Sequence, residues 1–445
     1  MEDYIKTLLE QVRCQKAHPA IERELRGHIE EQAMANMESG MQKEEAMRQA
    51  IRDMGDPVKA GVDLDRIHRP QMAWDVVGVM FLIALASIFI HIVIGMGAEE
   101  INSQPQGEYI GLAIGYTAAG FAAMMLIYRV DYSIFAKRGK LCAGIFLVFM
   151  TTAALIYRIK LPGAPLFFQN GGIRFWAAYV MFLYIPLYGA VLYQYYGSGW
   201  GGLIKSVLFL LYPVWLAYKM PRMSLALLLL LIMSVMLSAA VVKGWFDIPK
   251  KSFLAVYWAA LAAMPAAWVY WVLNGALGYQ KARVMAFLGL SPHEGSYVTE
   301  LLTGYLKGGR LFGGSGEAVP GILPDYYSDY ILTFLVTSFG IAAACAVCLL
   351  VAVVAVKAFR ISLGLRNRLG MMMGLGSGLV LFANTTLNVL ENLGALPATT
   401  SFLPFFSYTG TGILVSYVLM GIVLSVYRYK NVPLLCSAEK GYGVM

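Results

Sequence analysis

Apolar runs of about twenty residues, each broken by a short polar connection, fill the chain from residue 73 onward. They lie near 73–96, 108–128, 141–157, 176–195, 204–218, 223–243, 253–274, 330–356, 371–391 and 408–428. Runs of this length match the hydrocarbon thickness of a bilayer when coiled as helices, and helices satisfy their own backbone in lipid. Ten spans place both chain ends on one side. Residues 1–70 follow a different pattern. Ile5, Leu8, Leu9 and Val12, then Ile21, Leu25 and Ile29, repeat at helical spacing between polar residues. This predicts a small soluble helical domain, with Pro19 in a first turn, Gly40 between two helices and Gly55-Asp56-Pro57 stopping the third. The fold class expected is all-α: a polytopic membrane protein preceded by a small soluble helical domain.

Composition agrees. Of 445 residues, 58% are hydrophobic and 14% charged, against about 25% charged in soluble proteins. The net charge of +8 divides into −3 over residues 1–70 and +11 over the rest. A basic membrane sector suits anionic lipid or a phosphate-bearing substrate, and equally the concentration of Lys and Arg on the cytoplasmic side. No nucleic-acid partner is expected. With the termini inside, the internal loops hold 15 basic residues and the external ones 9, which favours cytoplasmic N- and C-termini. The charged, amphipathic opening is unlike a cleavable signal peptide. Cys14, Cys142, Cys345, Cys348 and Cys436 form no disulfide framework, and the Cys345–Cys348 pair lies inside an apolar run, where packing is its expected role.

Two segments on the outer side carry the candidate chemistry. One is 275–329, too long for a plain connection; the other is 392–407, short and uncharged. The first contains Arg283, then "GGRLFGGSG" (308–316), then "LPDYYSDY" (323–330). The second follows Asn388 in "NVLENLGALPATTSFLPFFSYTG" (388–410). In this order the motifs resemble those of the SEDS family of cell-wall polymerases (FtsW, RodA and SpoVE). That family has an Arg-containing loop start, Gly-Gly-Leu-Phe-Gly, Leu-Pro-Glu-x-His-Thr-Asp-Phe, and later a Leu-Pro-x-Thr-Gly-x-x-Leu-Pro-Phe-x-Ser-Tyr-Gly-Gly signature. Pro397, Thr399, Leu403, Pro404, Phe405, Ser407, Tyr408 and Gly410 fall in register with it. The resemblance covers roughly 275–428. Departures occur at Arg222, where the family has an acid, at Gly314, where it has Lys, and at Thr337-Ser338, where it has a Glu pair. Residues 1–70 resemble the HAAS-type helical prefix found ahead of permease-like proteins, with either a docking or regulatory role or that of a folding cap.

The resemblance implies a peptidoglycan glycosyltransferase at the outer face of the bacterial cytoplasmic membrane. Its substrate would be lipid II, the undecaprenyl-linked disaccharide peptide, and its partner a class B penicillin-binding protein acting as transpeptidase. A sugar hydroxyl attacks the anomeric carbon of the donor, and undecaprenyl pyrophosphate leaves with inversion. A catalytically inactive scaffold and a transporter of lipid-linked precursors are the other activities it leaves open. A hydroxyl is a weak nucleophile, and a positioned carboxylate accelerates its attack by roughly 10²–10⁴. Asp329 matches the family's motif aspartate and is the candidate base. It also directly precedes an apolar run, where Asp suits a helix N-cap, and the two roles are compatible. Asp325 is expected to order the loop. A pyrophosphate leaving group needs cations. Arg283 is assigned by register, and Arg310, Lys281, Lys307 and Arg222 suit either phosphate or lipid headgroups. Asn388, Thr399 and Ser407 are candidate substrate contacts, with local backbone bonding the commoner use of such hydroxyls. A divalent cation is possible as a helper, but the residues show no recognisable ligand cluster. Glu391, at the outer end of a span, needs a partner or a polar cavity. His91 in the first span is expected to be a satisfied packing residue.

Overall fold

The fold is taken from a computed structural model. The structure describes all residues except 99, 102–103, 161–166, 171–172, 221–222, 275–293, 317–318, 320–321, 366, 397–398, 400 and 432–445. Arg283, Lys281, Arg222 and Cys436 therefore lie outside the described residues.

Residues 2–68 form four helices, α1 (Glu2–Glu10), α2 (His18–Glu38), α3 (Lys43–Asp53) and α4 (Pro57–His68). Their apolar faces meet in a core of their own that includes Ile5, Leu8, Ile21, Leu25 and Ile29. Gly55-Asp56-Pro57 ends α3 and also begins α4. The Asp56 carboxylate accepts from Val58 N at 2.9 Å, and Pro57 occupies the first helical turn, where its missing N–H costs nothing.

Among the described residues, eight helices are long and apolar enough to cross a membrane. They lie within α5 (Trp74–Met96), α6 (Gln106–Arg129), α7 (Ile134–Lys160), α10 (Trp200–Lys219), α11 (Met223–Val242), α15 (Ile341–Leu363), α16 (Arg368–Asn392) and α17 (Thr411–Arg428). The fourth expected span is broken into α8 (Ala177–Val180) and α9 (Tyr184–Gln194), joined by a 3₁₀ turn. A 25-residue helix, α12 (Lys250–Asn274), takes the seventh position, and α13 (Glu294–Gly308) lies within the large loop. Two small antiparallel hairpins, β1 (Glu100–Ile101) with β2 (Gln104–Pro105) and β3 (Phe167–Asn170) with β4 (Ile173–Trp176), precede α6 and α8.

Small residues set the helix spacing. A Cβ on Gly374 of α16 would stand 2.3 Å from Ser362 Oγ, and one on Gly376 would meet Met236 and Ile185 at about 3 Å. The "GLGSG" stretch therefore brings α16 against α15, α9 and α11, the usual service of small residues between membrane helices.

The eighth expected span is not one helix, contrary to the continuous run expected over 330–356. α14 (Ile331–Phe339) ends at Gly340, and α15 starts at Ile341. Gly340 has φ +100° and ψ 169°, a conformation accessible in practice only to glycine. The segment 310–315 fills the break. Arg310 O and Leu311 O accept from Ile341 N and Ala342 N at 2.9 and 3.1 Å, while Gly313 N and Ser315 N donate to Phe339 O and Thr337 O at 3.0 and 2.9 Å. These bonds satisfy the groups that two helix ends leave open. Ile331 through Thr337 of α14 are all buried, and at nine residues α14 is too short to cross a membrane by itself.

The four-helix prefix packs against one end of the bundle. Lys16 pairs with Asp131 in the α6–α7 connection and lies 5.0 Å from the centre of the Tyr429 ring. Asn431 Nδ2 donates to Ile67 O at 2.9 Å, and Gln71 N to Arg428 O at 3.3 Å. Burial alone would raise the pKa of Asp131, but Lys16 and Ser133 together hold the carboxyl below its ordinary range. Its contribution to docking is therefore complete at neutral pH and disappears as pH falls through that lowered value.

Two predictions follow from these contacts. Gly340→Ala would set a Cβ 2.7 Å from Leu311 O on a backbone strained for alanine; a loss of about 1–3 kcal/mol is expected in thermal unfolding of the purified protein. Asp131→Asn is expected to weaken prefix docking by about 1 kcal/mol or less, as for a partly exposed pair. Limited proteolysis between the prefix and α5 reads this as faster cleavage at neutral pH, with wild type reaching the same rate only in acid.

Candidate functional site

The motif turn 323–330 is built on Asp325, whose φ of +49° is tolerated by Asp better than by most side chains. Its carbonyl accepts from Ser328 N at 2.9 Å and Tyr330 N at 3.2 Å. Tyr327 Oη donates to its exposed carboxylate at 3.1 Å.

The next three main-chain carbonyls are each held from outside the turn. Tyr327 O accepts from Tyr408 N at 3.1 Å. Ser328 O accepts from Ser407 Oγ at 2.8 Å. Asp329 O accepts from both Asn388 Nδ2 and Asn392 Nδ2, each at 2.9 Å. The backbone leading to the Asp329 side chain is thus fixed at three successive peptides, and that side chain remains half-buried. The N-cap position of α14 is Tyr330, with no side-chain capping bond, and the membrane-length helix begins only at Ile341. Asp329 directly precedes the N-cap position of α14, the short helix ahead of the membrane-length one. The first turn of α14 is served by Asn392, whose Oδ1 accepts from Thr333 N at 3.1 Å and Thr333 Oγ1 at 2.9 Å.

The loop that follows α16 is held just as closely. Glu391, 1% exposed, accepts from Thr399 N at 2.9 Å, Thr399 Oγ1 at 2.7 Å and Ser401 Oγ at 2.8 Å. Ser407 Oγ, besides its bond to Ser328 O, accepts from Leu403 N at 2.7 Å. Phe405, at φ +71°, offers its carbonyl to Ser87 Oγ at 2.8 Å. His91 joins the same loop to α6. Nε2 lies 2.7 Å from Phe406 O and Nδ1 lies 2.8 Å from Tyr109 Oη. A carbonyl only accepts, so Nε2 carries the proton and Nδ1 accepts from the tyrosine. His91 is a satisfied buried residue. Tyr109, Tyr327 and Tyr408 pack ring against ring beneath the turn, with centroids 4.5–6.3 Å apart.

The structure thus brings Asp329, Asn388, Thr399 and Ser407 into one assembly. Asn388 and Ser407 are buried and direct polar atoms at main-chain groups, whereas Thr399 is half-buried on the Glu391 carboxylate. Arg310 is exposed on the segment that closes the α14–α15 break. Among the described residues, no three His, Cys, Asp or Glu side chains cluster as a metal site. Asn392 went unremarked in the sequence. Its signal was positional: Asn388, Glu391 and Asn392 are three and four apart, hence on one helix face, and a polar face within a membrane helix requires partners inside the protein.

Truncating Glu391 to Ala would leave the Thr399 N–H and two hydroxyls without their acceptor. A loss of about 1–3 kcal/mol is expected in thermal unfolding, with Glu391→Gln losing less because one acceptor oxygen remains.

A family model described as "Cell cycle protein" (FtsW/RodA/SpoVE) matches residues 73–432. A protein of Enterococcus hirae named "Probable peptidoglycan glycosyltransferase FtsW" is 24% identical over 374 residues, covering 80% of this chain and 90% of that one. A Synechocystis protein of the same name is 29% identical over 191 residues, 39% of this chain and 49% of its own length. One from Thioalkalivibrio is 30% identical over 165 residues, 35% of this chain and 41% of its own. The chain therefore spans about half or less of the latter two relatives. Among solved structures, a chain described under "Structural coordination of polymerization and crosslinking by a peptidoglycan synthase complex" superposes with a TM-score of 0.64. It is 19% identical and covers 80% of this chain and 98% of that one. Thermus thermophilus RodA superposes with a TM-score of 0.54 at 17% identity, covering 81% of this chain and 97% of its own. At these identities the structural likeness is one of fold.

Proposed function

The chain belongs to the FtsW/RodA/SpoVE family of cell cycle proteins, and from that premise we propose that it is a peptidoglycan glycosyltransferase polymerising lipid II with Asp329 as general base. The observation that carries this reading is the frame around Asp329. Three consecutive carbonyls are fixed from α16 and the 403–408 loop, which holds one half-buried carboxylate in a set position. A positioned base is what a weak hydroxyl nucleophile needs, and desolvation at a membrane edge strengthens a carboxylate as a base. The names of the curated relatives support the activity.

In this reading the Asp329 carboxylate accepts the proton of the acceptor hydroxyl as its oxygen attacks the donor's anomeric carbon. The bond to undecaprenyl pyrophosphate breaks on the opposite face, inverting the centre. Arg283 and Arg310 supply cations for the departing pyrophosphate, since a planar guanidinium suits bidentate phosphate binding. Asn388 and Ser407 support the frame, and Thr399 lies beside it. The catalytic face is the outer one and the prefix face the cytoplasmic one, with the prefix serving as a docking or regulatory module. The partner is a class B penicillin-binding protein.

One observation favours a second reading, an inactive scaffold. Gly314 lies against the carbonyls of Thr337 and Ser338, which a Cβ there would meet at 3.1 Å. The positions where the family carries a Lys and a Glu pair are thus neighbours, and this chain has no charge at any of them.

Polymerisation of purified lipid II by the protein with its transpeptidase partner tests both. Asp329→Ala is expected to lower the rate by about 10²-fold or more, with partner binding and folding retained. Polymer at the wild-type rate from that variant removes Asp329 from the base role, and a folded, partnered wild type that makes no polymer supports the scaffold.

A further inference from the structure

We propose that Asn392 is a positioning residue for Asp329, acting as a donor clamp on its main-chain carbonyl with Asn388 as second donor; this rests on Asp329 being the base. Nothing in the family's signature marks position 392, and the case comes from its carboxamide. All of its bonding capacity is used, and each bond has a direction. Oδ1 takes the Thr333 N–H and hydroxyl at 3.1 and 2.9 Å. Nδ2 gives one hydrogen to Asp329 O and one to Asn388 O, both at 2.9 Å. The reversed amide would set oxygen against two carbonyls and NH₂ against an N–H, so the orientation follows from the partners. Asn392 is 3% exposed and Asn388 0% exposed, so both donors lie inside the protein.

One planar group therefore ties the Asp329 peptide to the first turn of α14. It sets the plane of the 329–330 peptide, and with it the direction in which the Asp329 side chain leaves the backbone. Capping α14 needs only an acceptor, which Ser, Thr or Asp supplies. Holding Asp329 O needs a donor. Asn supplies an acceptor oxygen and two N–H donors at once, where a hydroxyl has a single donor.

That division supplies the test. Asn392→Asp keeps the acceptor for Thr333 but has no N–H for Asp329 O; Asn392→Ala loses both. Polymerisation kinetics are measured on lipid II with the transpeptidase partner, after folding is checked by thermal unfolding and complex formation. Both variants are expected to lower kcat by about 10-fold or more, the scale of a misplaced catalytic group, with KM for lipid II within about 2-fold. Asn392→Asp at wild-type kcat would reduce Asn392 to a helix cap and overturn the proposal, as would an effect confined to KM. If neither variant folds, Asn388→Ala removes one donor and leaves the α14 cap intact. A several-fold fall in kcat is then expected, and an unchanged kcat overturns the clamp. A wild type that makes no polymer fails the underlying reading and this proposal with it, whereas an active wild type with unaffected variants fails this proposal alone.

Discussion

The architecture around the candidate site depends on one constraint: buried main-chain groups must be hydrogen-bonded, and the turn 327–329 has no helix or sheet to bond with. Its carbonyls are met instead by Tyr408 N, Ser407 Oγ and two asparagine amides. Those donors come from the end of α16 and the loop after it. That loop must in turn be rigid, and Glu391, His91 and Ser87 each bind it. An unpaired carboxylate at the position of Glu391 would be costly; three donors make it an anchor.

The break at Gly340 follows from the same need. A continuous helix from 331 to 363 would run α15 straight on from α14, and the groups freed at the break need partners. The 310–315 segment supplies them from its own main chain, with carbonyls toward α15 and N–H groups toward α14. Because main chain meets main chain, the side chains of Arg310, Leu311 and Phe312 are left exposed. Substitution at this junction is therefore restricted at Gly340 and Gly314, where carbonyl oxygens stand within 3.1 Å of any added Cβ, and at Gly313, whose φ is +78°.

Much of the fold was legible because lipid imposes a simple code of apolar length. Helices α5, α6, α10, α11, α16 and α17 begin and end within a few residues of the runs read from the chain. The reading failed where an apolar run is interrupted. Residues 331–339 and 341–363 are two helices that part at Gly340, and apolar length alone does not show the break. It also stopped too soon at Gly55-Asp56-Pro57, where a stop signal was also the N-cap and first turn of α4. At the site, the motif register brought out Asp329, Asn388, Thr399 and Ser407. Backbone bonding was the commoner alternative for the Ser407 hydroxyl and is what it does; that Asn388 also faces main chain was not legible, because hydrogen-bond direction depends on tertiary approach. Asn392 escaped notice because it belongs to no motif, only to a helix face.

A frame made largely of main-chain carbonyls also bears on divergence. Donors to a carbonyl need the right place more than the right chemistry, so a hydroxyl, an amide and a backbone N–H serve side by side here. Such a frame can be kept while many side chains change, in keeping with folds that superpose at 16–19% identity. Charge is less forgiving, because removing one member of a close set leaves the others uncompensated. Gly314 lies against Thr337 and Ser338, so loss of a cation at one position and of anions at the other leaves no stranded charge between them. The Thr337 hydroxyl turns back to Thr333 O and Phe334 O at 3.1 and 3.0 Å, closing with local bonds a place where the family carries acidic side chains.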